Sequence, residues 1–437
     1  MRSLLPSAFA ALLLASTAGA QGLPPIRQLG AVAATTNDSL GGVLTVRALP
    51  GGHVLVNDLM SRRLLLFDST LSSARIVADS TPSTASAYGG RFGGLLAYRG
   101  DSSLFVDPAS MSMLVVDPNG KIGRVMSVPR SQDAMFIANP GGATTYDPAG
   151  RLVYRGMLRP AMPARSPNGG LMPPELPDSA PILRVDIATR KVDTIAYIRI
   201  PKTKLLVSRN DNGSVTMTSE VNPMAVVDDW TVLPDGTIAI VRGQDLHVDF
   251  VSPSGEVTRS AKVPYEWQRM SDEEKAAVID TARTQMEAMR AEMTAQTKER
   301  VTGTAATPPA TAGSERRNVV IMAGPGMGGA AGNTGAAVAQ MPPVQFVSPS
   351  ELPDYRPAIV AGTSRADPEG NVWVRTTLNA GNGPVYDVID RSGRLVDRVQ
   401  IPNGTQIVGF GPDGAVYLVA REGRLARTGK LERARVR

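Results

Sequence analysis

The sequence predicts an all-β protein, a six-bladed β-propeller of four-stranded antiparallel blades, with an α-helical and partly disordered insert between blades 4 and 5. Short apolar runs recur along the chain, and turns rich in Gly, Asp, Asn and Pro separate them. The clearest unit is Thr231–Val257, in which four such runs are joined through turns at Pro234–Gly236 and Ser252–Gly255. One sheet of this kind is marginal alone and has open edges, so it must be repeated.

Two families of turns define the repeat. The turns between first and second strands are Pro50–Gly52, Arg99–Asp101, Asp147–Gly150, Pro234–Gly236, Asp367–Gly370 and Gly411–Gly414. The turns between third and fourth strands are Phe67–Ser69, Asp117–Gly120, Asp186–Thr189, Ser252–Gly255, Asp390–Gly393 and Thr428–Gly429. They predict blades at about 41–80, 92–130, 142–200, 223–263, 357–402 and 405–437. In this assignment the third strand of the last blade is the run GRLAR, residues 423–427. A large β-sandwich or a pair of barrels is the alternative architecture.

Three strand-turn-strand runs carry a family resemblance. DPEGNVWVR (367–375), LPDGTIAIVR (233–242) and GPDGAVYLVA (411–420) resemble the repeats of NHL-type and gluconolactonase-like six-bladed propellers, in the TolB-like superfamily. The resemblance covers roughly residues 31–437 apart from the inserts. It implies the architecture and leaves the activity open, because this fold hosts unrelated functions. We expect an N-terminal strand near Ile26–Ala34 to close the ring against the C-terminal blade; closure inside the last blade is the alternative.

The N-terminus has the pattern of a secretory signal peptide over residues 1–20. Arg2 precedes the apolar run Leu4–Leu14, and a small-residue cleavage site ends at Ala20. We therefore expect a secreted or periplasmic mature protein, with an N-terminal membrane anchor as the alternative. The absence of Cys excludes disulfides and cysteine-based metal sites. No later apolar stretch is long enough to span a bilayer, so no stable membrane insertion is expected.

The positive charge is concentrated at the C-terminus. The formal net charge is +6, and Arg421–Arg437 alone contributes +5, from six Arg and one Lys against two Glu. The rest of the mature chain is near neutral, which argues against a nucleic-acid surface. A charged last strand also protects a sheet edge.

The long inserts are predicted to share one face of the disc. They are Gly156–Ala180, Pro201–Asn222, Lys262–Arg356 and Thr376–Gly383, and all follow a second or a fourth strand. The largest contains a helix within 264–300, opened by the capping box of Ser271 and Glu274. Its apolar residues at helical spacing are Val278, Ile279, Ala282, Met286, Met289 and Met293, which suit either a helix laid over the propeller or a Met-rich surface for a peptide. Residues 301–345 have the composition of a disordered linker or lid.

Arginines supply the candidate ligand-binding residues. They lie at the ends of second strands or near the starts of first strands, and they are Arg91, Arg155, Arg242, Arg365 and Arg375. Together they form a positive funnel suited to an anionic ligand. The alternative is that each arginine pairs with a carboxylate such as Asp58, Asp107, Asp245 or Asp387.

A metal site is the alternative chemistry. Gluconolactonase-like propellers hold a divalent ion through Glu, Asn and Asp, which implies Ca²⁺ or Mg²⁺. The candidate ligands on that basis are Asn222, Asp228, Asp229 and Asp133. The resemblance fails at one ligand, since the first glutamate of this chain is Glu175 and no first-blade Glu exists.

The prediction from these residues is a non-catalytic binding module that needs no cofactor. It would bind an envelope protein, a peptide or a small anionic ligand through the insert-bearing face, and it would act as a monomer. The two histidines, His53 and His247, lie in predicted strands and offer no catalytic arrangement. A metal-dependent hydrolase or lactonase with its site in the central channel is the alternative.

Overall fold

The computed structural model describes residues 22–81, 88–139, 143–156, 176–209, 215–303, 344–379, 381, 383–421 and 429–436. The predicted signal peptide and nearly all of the predicted linker or lid lie outside these residues. Two short strands come first, β1 (Ile26–Gln28) and β2 (Ala34–Thr35), and both join sheets formed much later in the sequence.

Six sheets of four or five strands follow within the described residues. Sheet 1 contains β3 (Val46–Ala48), β4 (Val54–Asp58), β5 (Arg63–Phe67) and β6 (Ala74–Asp79). Sheet 2 contains β7 (Gly94–Ala97), β8 (Ser103–Asp107), β9 (Ser112–Val116) and β10 (Ile122–Ser127), and a short helix α1 (Ala134–Ile137) follows it. Sheet 3 contains β11 (Thr145–Tyr146), β12 (Arg151–Arg155), β13 (Ser179–Asp186) and β14 (Val192–Arg199).

An accessory sheet interrupts the series. It contains β15 (Lys204–Arg209), β16 (Val215–Val221) and, from after the large insert, β21 (Val344–Phe346). Sheet 4 contains β17 (Asp229–Val232), β18 (Ile238–Arg242), β19 (His247–Val251) and β20 (Val257–Arg259), and helix α2 (Asp272–Gly303) follows it. Sheet 5 contains β22 (Arg365–Ala366), β23 (Val372–Asn379), β24 (Pro384–Ile389) and β25 (Leu395–Gln400), with β1 as a parallel fifth strand. Sheet 6 contains β26 (Thr405–Phe410), β27 (Ala415–Arg421) and β28 (Gly429–Arg435), with β2 as its fourth strand.

Apolar clusters join the six sheets into a ring, which confirms the all-β propeller architecture. Each cluster packs one sheet on the next: sheets 1 and 2, 2 and 3, 3 and 4, 4 and 5, 5 and 6, and finally 6 and 1. Strands inside the ring are therefore covered on both faces, and every residue of β4 and of β24 is buried. The tight turns use glycine where φ is positive, as at Gly236 (φ 86°) and Gly255 (φ 93°).

The predicted N-terminal strand does close the last sheet. Ala34 pairs with Arg433 and Thr35 with Glu432, so β2 becomes the outermost strand beside β28. The strand that pairs with β27 in the third position is β28, whereas the predicted third strand at 423–427 lies outside the described residues. Both segments are basic and of similar length, and only the long-range partner distinguishes them.

The large insert begins as predicted and then departs from the prediction. The Ser271 hydroxyl accepts from the Glu274 N–H at 3.2 Å, while the Glu274 carboxylate accepts from the Ser271 N–H at 2.8 Å, which confirms the capping box. Ile279 is buried against Val347 and Leu352, so the first turns of α2 pack on the protein, whereas Met289 farther along the helix is 55% exposed. No helix among the described residues is long and apolar enough to cross a membrane.

Candidate ligand-binding site

A small polar cavity opens on the insert face, the side of the ring opposite the tight turns. Its volume is 130 Å³, and it lies between sheets 3, 4 and 5. The charged residues that line it are Arg155, Arg199, Arg365, Asp228 and Asp229. Three positive charges thus meet two negative charges. The hydrogen bonds and ion pairs of each side chain therefore decide what the cavity can bind.

Arg155 carries the charge that is least compensated. It is the last residue of β12, and burial lowers the pKa of its guanidinium. No hydrogen bond or ion pair joins this side chain to any other residue that the structure describes. The guanidinium stays protonated at any physiological pH, so a half-buried cation with five N–H donors faces the cavity.

Arg365 contributes the second cation, and Asp229 holds it in place. One Asp229 carboxylate oxygen accepts from the backbone N–H groups of Thr363 at 3.1 Å and Ser364 at 2.8 Å, which fixes the segment leading into β22. The Arg365 guanidinium donates to the Ser364 carbonyl at 2.9 Å. Burial lowers the Arg365 pKa, and the nearby Asp229 charge opposes that shift.

Asp228 is fully occupied by donors. Its carboxylate accepts from Arg242 Nη1 at 2.7 Å, from the Arg199 N–H at 2.9 Å and from the Gly243 N–H at 3.2 Å. Arg242 in turn donates from Nε to Asp249 at 2.8 Å. Burial favours a lower pKa for Arg242, and the hydrogen bonds to Asp249 and Asp228 outweigh it, so the pKa is raised. Arg242 is therefore held in ion pairs with two carboxylates, which is the alternative that the sequence analysis left open for the arginines.

Similarity to known proteins is found at the level of solved structures. No protein-family model matches the sequence, and no curated protein matches it. Solved structures that are similar include a gluconolactonase from Xanthomonas campestris, at 10% identity and a TM-score of 0.39 over 95% of this chain and 98% of that one. The calcium-binding protein regucalcin from Agrobacterium tumefaciens is 13% identical, with a TM-score of 0.40 over 94% of this chain and 98% of that one. A streptogramin B lyase is 11% identical, with a TM-score of 0.35 over 91% and 96% of the two chains. At these identities no activity, metal or substrate is transferred from them.

The structure brings together only part of the predicted arginine funnel. Arg155 and Arg365 meet in the cavity, while Arg91 lies beside α1, where its Nη1 contacts the Met135 sulfur at 3.8 Å. Arg375 does not line the cavity, and its buried Nε has no hydrogen-bond partner among the described residues. The carboxylates first considered as partners, such as Asp58 and Asp387, pair instead with Arg63 and Arg398.

The alternative metal ligands do not form a donor set. The Asp133 carboxylate accepts from the Tyr154 hydroxyl at 2.6 Å and pairs with Arg130 at 3.0 Å. Asn222 caps its own turn by accepting from the Met224 N–H at 2.8 Å. Asp228 and Asp229 are occupied as described above, and across the described ranges no group of three or more His, Cys, Asp or Glu is placed to hold a metal. A Ca²⁺ or Mg²⁺ ion would have to displace ion pairs and backbone donors, so these residues do not fit it.

One lining residue escaped the sequence analysis. Arg199 ends β14, and its Nη1 donates to the Gln244 amide oxygen at 2.7 Å. It also lines a larger apolar groove of 590 Å³ on the same face, together with Trp267 and Tyr355. Its position at the end of a fourth strand, where the chain crosses to the next blade, is the sequence signal that indicates the insert face.

Proposed function

We propose that this propeller is a binding module that holds a small anion in the insert-face cavity. The observation that carries the proposal is Arg155, a half-buried cation that faces the cavity without a partner among the described residues. A charge that is partly removed from water without a partner is costly, and an anionic group that accepts its hydrogen bonds relieves that cost. Arg365 lies across the same cavity, and a planar guanidinium is well suited to phosphate or carboxylate.

The cavity also limits the size of the ligand. At 130 Å³ it is well below the range of about 300–1,000 Å³ that is typical for drug-sized ligands. Inorganic phosphate, sulfate and short carboxylates are therefore the supported class. The two aspartates do not repel such an anion strongly, because Arg242 neutralises Asp228 and backbone donors surround Asp229.

Calorimetric titration with phosphate, sulfate and acetate tests the proposal. Arg155→Gln should lower the affinity for the anion about ten- to a hundredfold, because it removes one hydrogen bond to a charged group. Arg365→Gln should weaken it as well. Arg259→Gln is the matched control. Arg259 lies on the outer strand of sheet 4 and carries the same charge, but it pairs with Asp249. Equal affinity of Arg155→Gln and the unmutated protein for these anions would refute the proposal.

A metal-dependent lactonase is the rival function. Such a lactonase would have the same fold, and two of the similar structures named above carry gluconolactonase or calcium-binding names. The two functions separate in one assay, the hydrolysis of sugar lactones with and without added Ca²⁺. The binding module predicts no rate above the uncatalysed reaction in either condition, whereas calcium-dependent turnover would favour the lactonase.

A further inference from the structure

The other end of the ring carries a second opening that the proposed function does not use. It has a volume of 630 Å³ and lies on the tight-turn face. All six sheets contribute to its wall, through the ends of their first strands and the turns that follow. It is therefore the axial mouth of the channel, and its size is in the range of cavities that bind drug-sized ligands, about 300–1,000 Å³.

Arg47 places a cation in this mouth, and no ion pair joins it to the residues that the structure describes. It lies in β3, the first strand of sheet 1, and its Nε is buried without a hydrogen-bond partner among the described residues. Burial lowers the pKa of its guanidinium, and the charge of Asp101 opposes that shift without forming an ion pair. Such a side chain has hydrogen-bonding capacity that a ligand can satisfy.

Arg99 faces the same opening and is held against aromatic rings. Its Nε donates to the Tyr146 hydroxyl at 2.9 Å, and its guanidinium carbon lies 5.9 Å from the centre of that ring. The Tyr98 and Tyr146 rings pack at 4.7 Å between centroids. In the part of the chain that the structure describes, only Nε of this guanidinium makes a hydrogen bond, so its terminal nitrogens are available.

The two carboxylates at this mouth are already satisfied. Asp147 accepts from Arg151 Nε at 2.9 Å and from the Arg151 N–H at 2.9 Å. Asp367 accepts from the Asn371 amide at 2.8 Å and from the Trp373 indole N–H at 2.9 Å. Neither aspartate bonds to Arg47 or to Arg99, so the guanidinium donors of these arginines can bind a ligand.

We propose that the tight-turn mouth is a second binding site, for an anionic group carried on an aromatic ring. Arg47 and Arg99 would bind the anion, and the ring would pack among Tyr98, Tyr146 and Phe410, which line the mouth. Aromatic side chains favour flat apolar partners, and arginine forks favour carboxylate or phosphate. This site is independent of the insert-face cavity, and its residues are different.

Calorimetric titration with 2-naphthoate tests this site. Arg47→Gln and Arg99→Gln should each weaken naphthoate binding about ten- to a hundredfold, while Arg47→Lys should retain more affinity than Arg47→Gln. Neutral 2-naphthalenemethanol should bind the unmutated protein less tightly than naphthoate by a similar factor. Because Arg99 is less enclosed than Arg47, the Arg99 variant serves if the Arg47 variant fails to fold.

The Arg155→Gln variant separates the two sites. It should leave naphthoate affinity unchanged, and Arg47→Gln should leave the affinity for phosphate or acetate at the insert face unchanged. Three outcomes would overturn the second site: no saturable naphthoate binding, unchanged binding by both the Arg47 and the Arg99 variants, or loss of naphthoate binding in Arg155→Gln. A failure of phosphate binding at Arg155 would leave the naphthoate result standing.

Discussion

Asp387 should make the protein less stable as the pH rises from about 4 to about 6. This residue of β24 is 2% exposed and faces Arg398 of β25, with 3.3 Å between its carboxylate and Nε. Its second carboxylate oxygen is buried without a hydrogen-bond partner among the described residues. Burial raises the pKa of Asp387 from 3.8 to about 6; Arg398 opposes this shift and Glu266 adds to it.

The direction of this pH dependence follows from whether the folded or the unfolded chain holds the Asp387 proton. Between pH 3.8 and about 6 the folded protein holds the Asp387 proton and the unfolded chain has lost it. Folding is therefore favoured at the acid end, and this contribution is lost as the pH rises through the folded pKa. A shift of about two pKa units corresponds to about 3 kcal/mol.

Urea denaturation of Asp387→Asn at pH 4, 5, 6 and 7.5 measures this contribution. The asparagine resembles the protonated acid, so the variant and the unmutated protein should be similar in stability at pH 4. At pH 7.5 the variant should be the more stable by about 3 kcal/mol. A stability difference that stays constant from pH 4 to 7.5 would refute the assignment.

Asp390 provides a control of opposite sign. Burial alone would raise its pKa, but hydrogen bonds from Ser392 and Arg394 outweigh it, so the pKa is lowered. Its contribution to stability is present above the unfolded pKa and is lost as the pH falls. Asp390→Asn should therefore lose stability relative to the unmutated protein as the pH rises, the reverse of Asp387→Asn.

Two further variants test buried hydrogen bonds of the ring. Thr36→Val should cost about 1–3 kcal/mol in urea denaturation, because the buried Thr36 hydroxyl accepts from the Leu431 N–H at 3.1 Å where the N-terminal strand closes sheet 6; an unchanged midpoint would argue against closure by β2. Tyr154→Phe should cost about 1.5–3 kcal/mol, since the Tyr154 hydroxyl donates to the buried Asp133 carboxylate at 2.6 Å; a loss below about 0.5 kcal/mol would show that this bond is not formed in solution.

The repeat was predictable because its determinants are local. Turns such as Pro234–Gly236 need a glycine at positive φ and an acidic or proline residue beside it, and both are visible in the sequence. The capping box of Ser271 and Glu274 is equally local, and the structure has it. The accessory sheet was missed because β16 gains its second partner, β21, only across the large insert.

The site depended on contacts that spacing does not reveal. Arg155 and Arg365 are both at strand positions that the blade register places on the insert face. The sequence therefore predicted both as candidate binding residues. Arg242 has the same register as Arg155, yet it pairs with Asp228 and Asp249, and no sequence spacing distinguishes the two arginines. Arg47 and Arg99 carry no sequence signal for the tight-turn mouth, because only the contacts of their side chains show that these arginines lack carboxylate partners.

Anomalous diffraction from crystals soaked in selenate locates a bound anion in the insert-face cavity directly. Selenate has the shape and charge of sulfate, and its position is visible without assumptions about the ligand. We expect a peak between the Arg155 and Arg365 guanidinium groups, within hydrogen-bonding distance of Arg155, and no peak there in Arg155→Gln. An empty insert-face cavity in crystals that bind selenate elsewhere would rule out the proposed anion site.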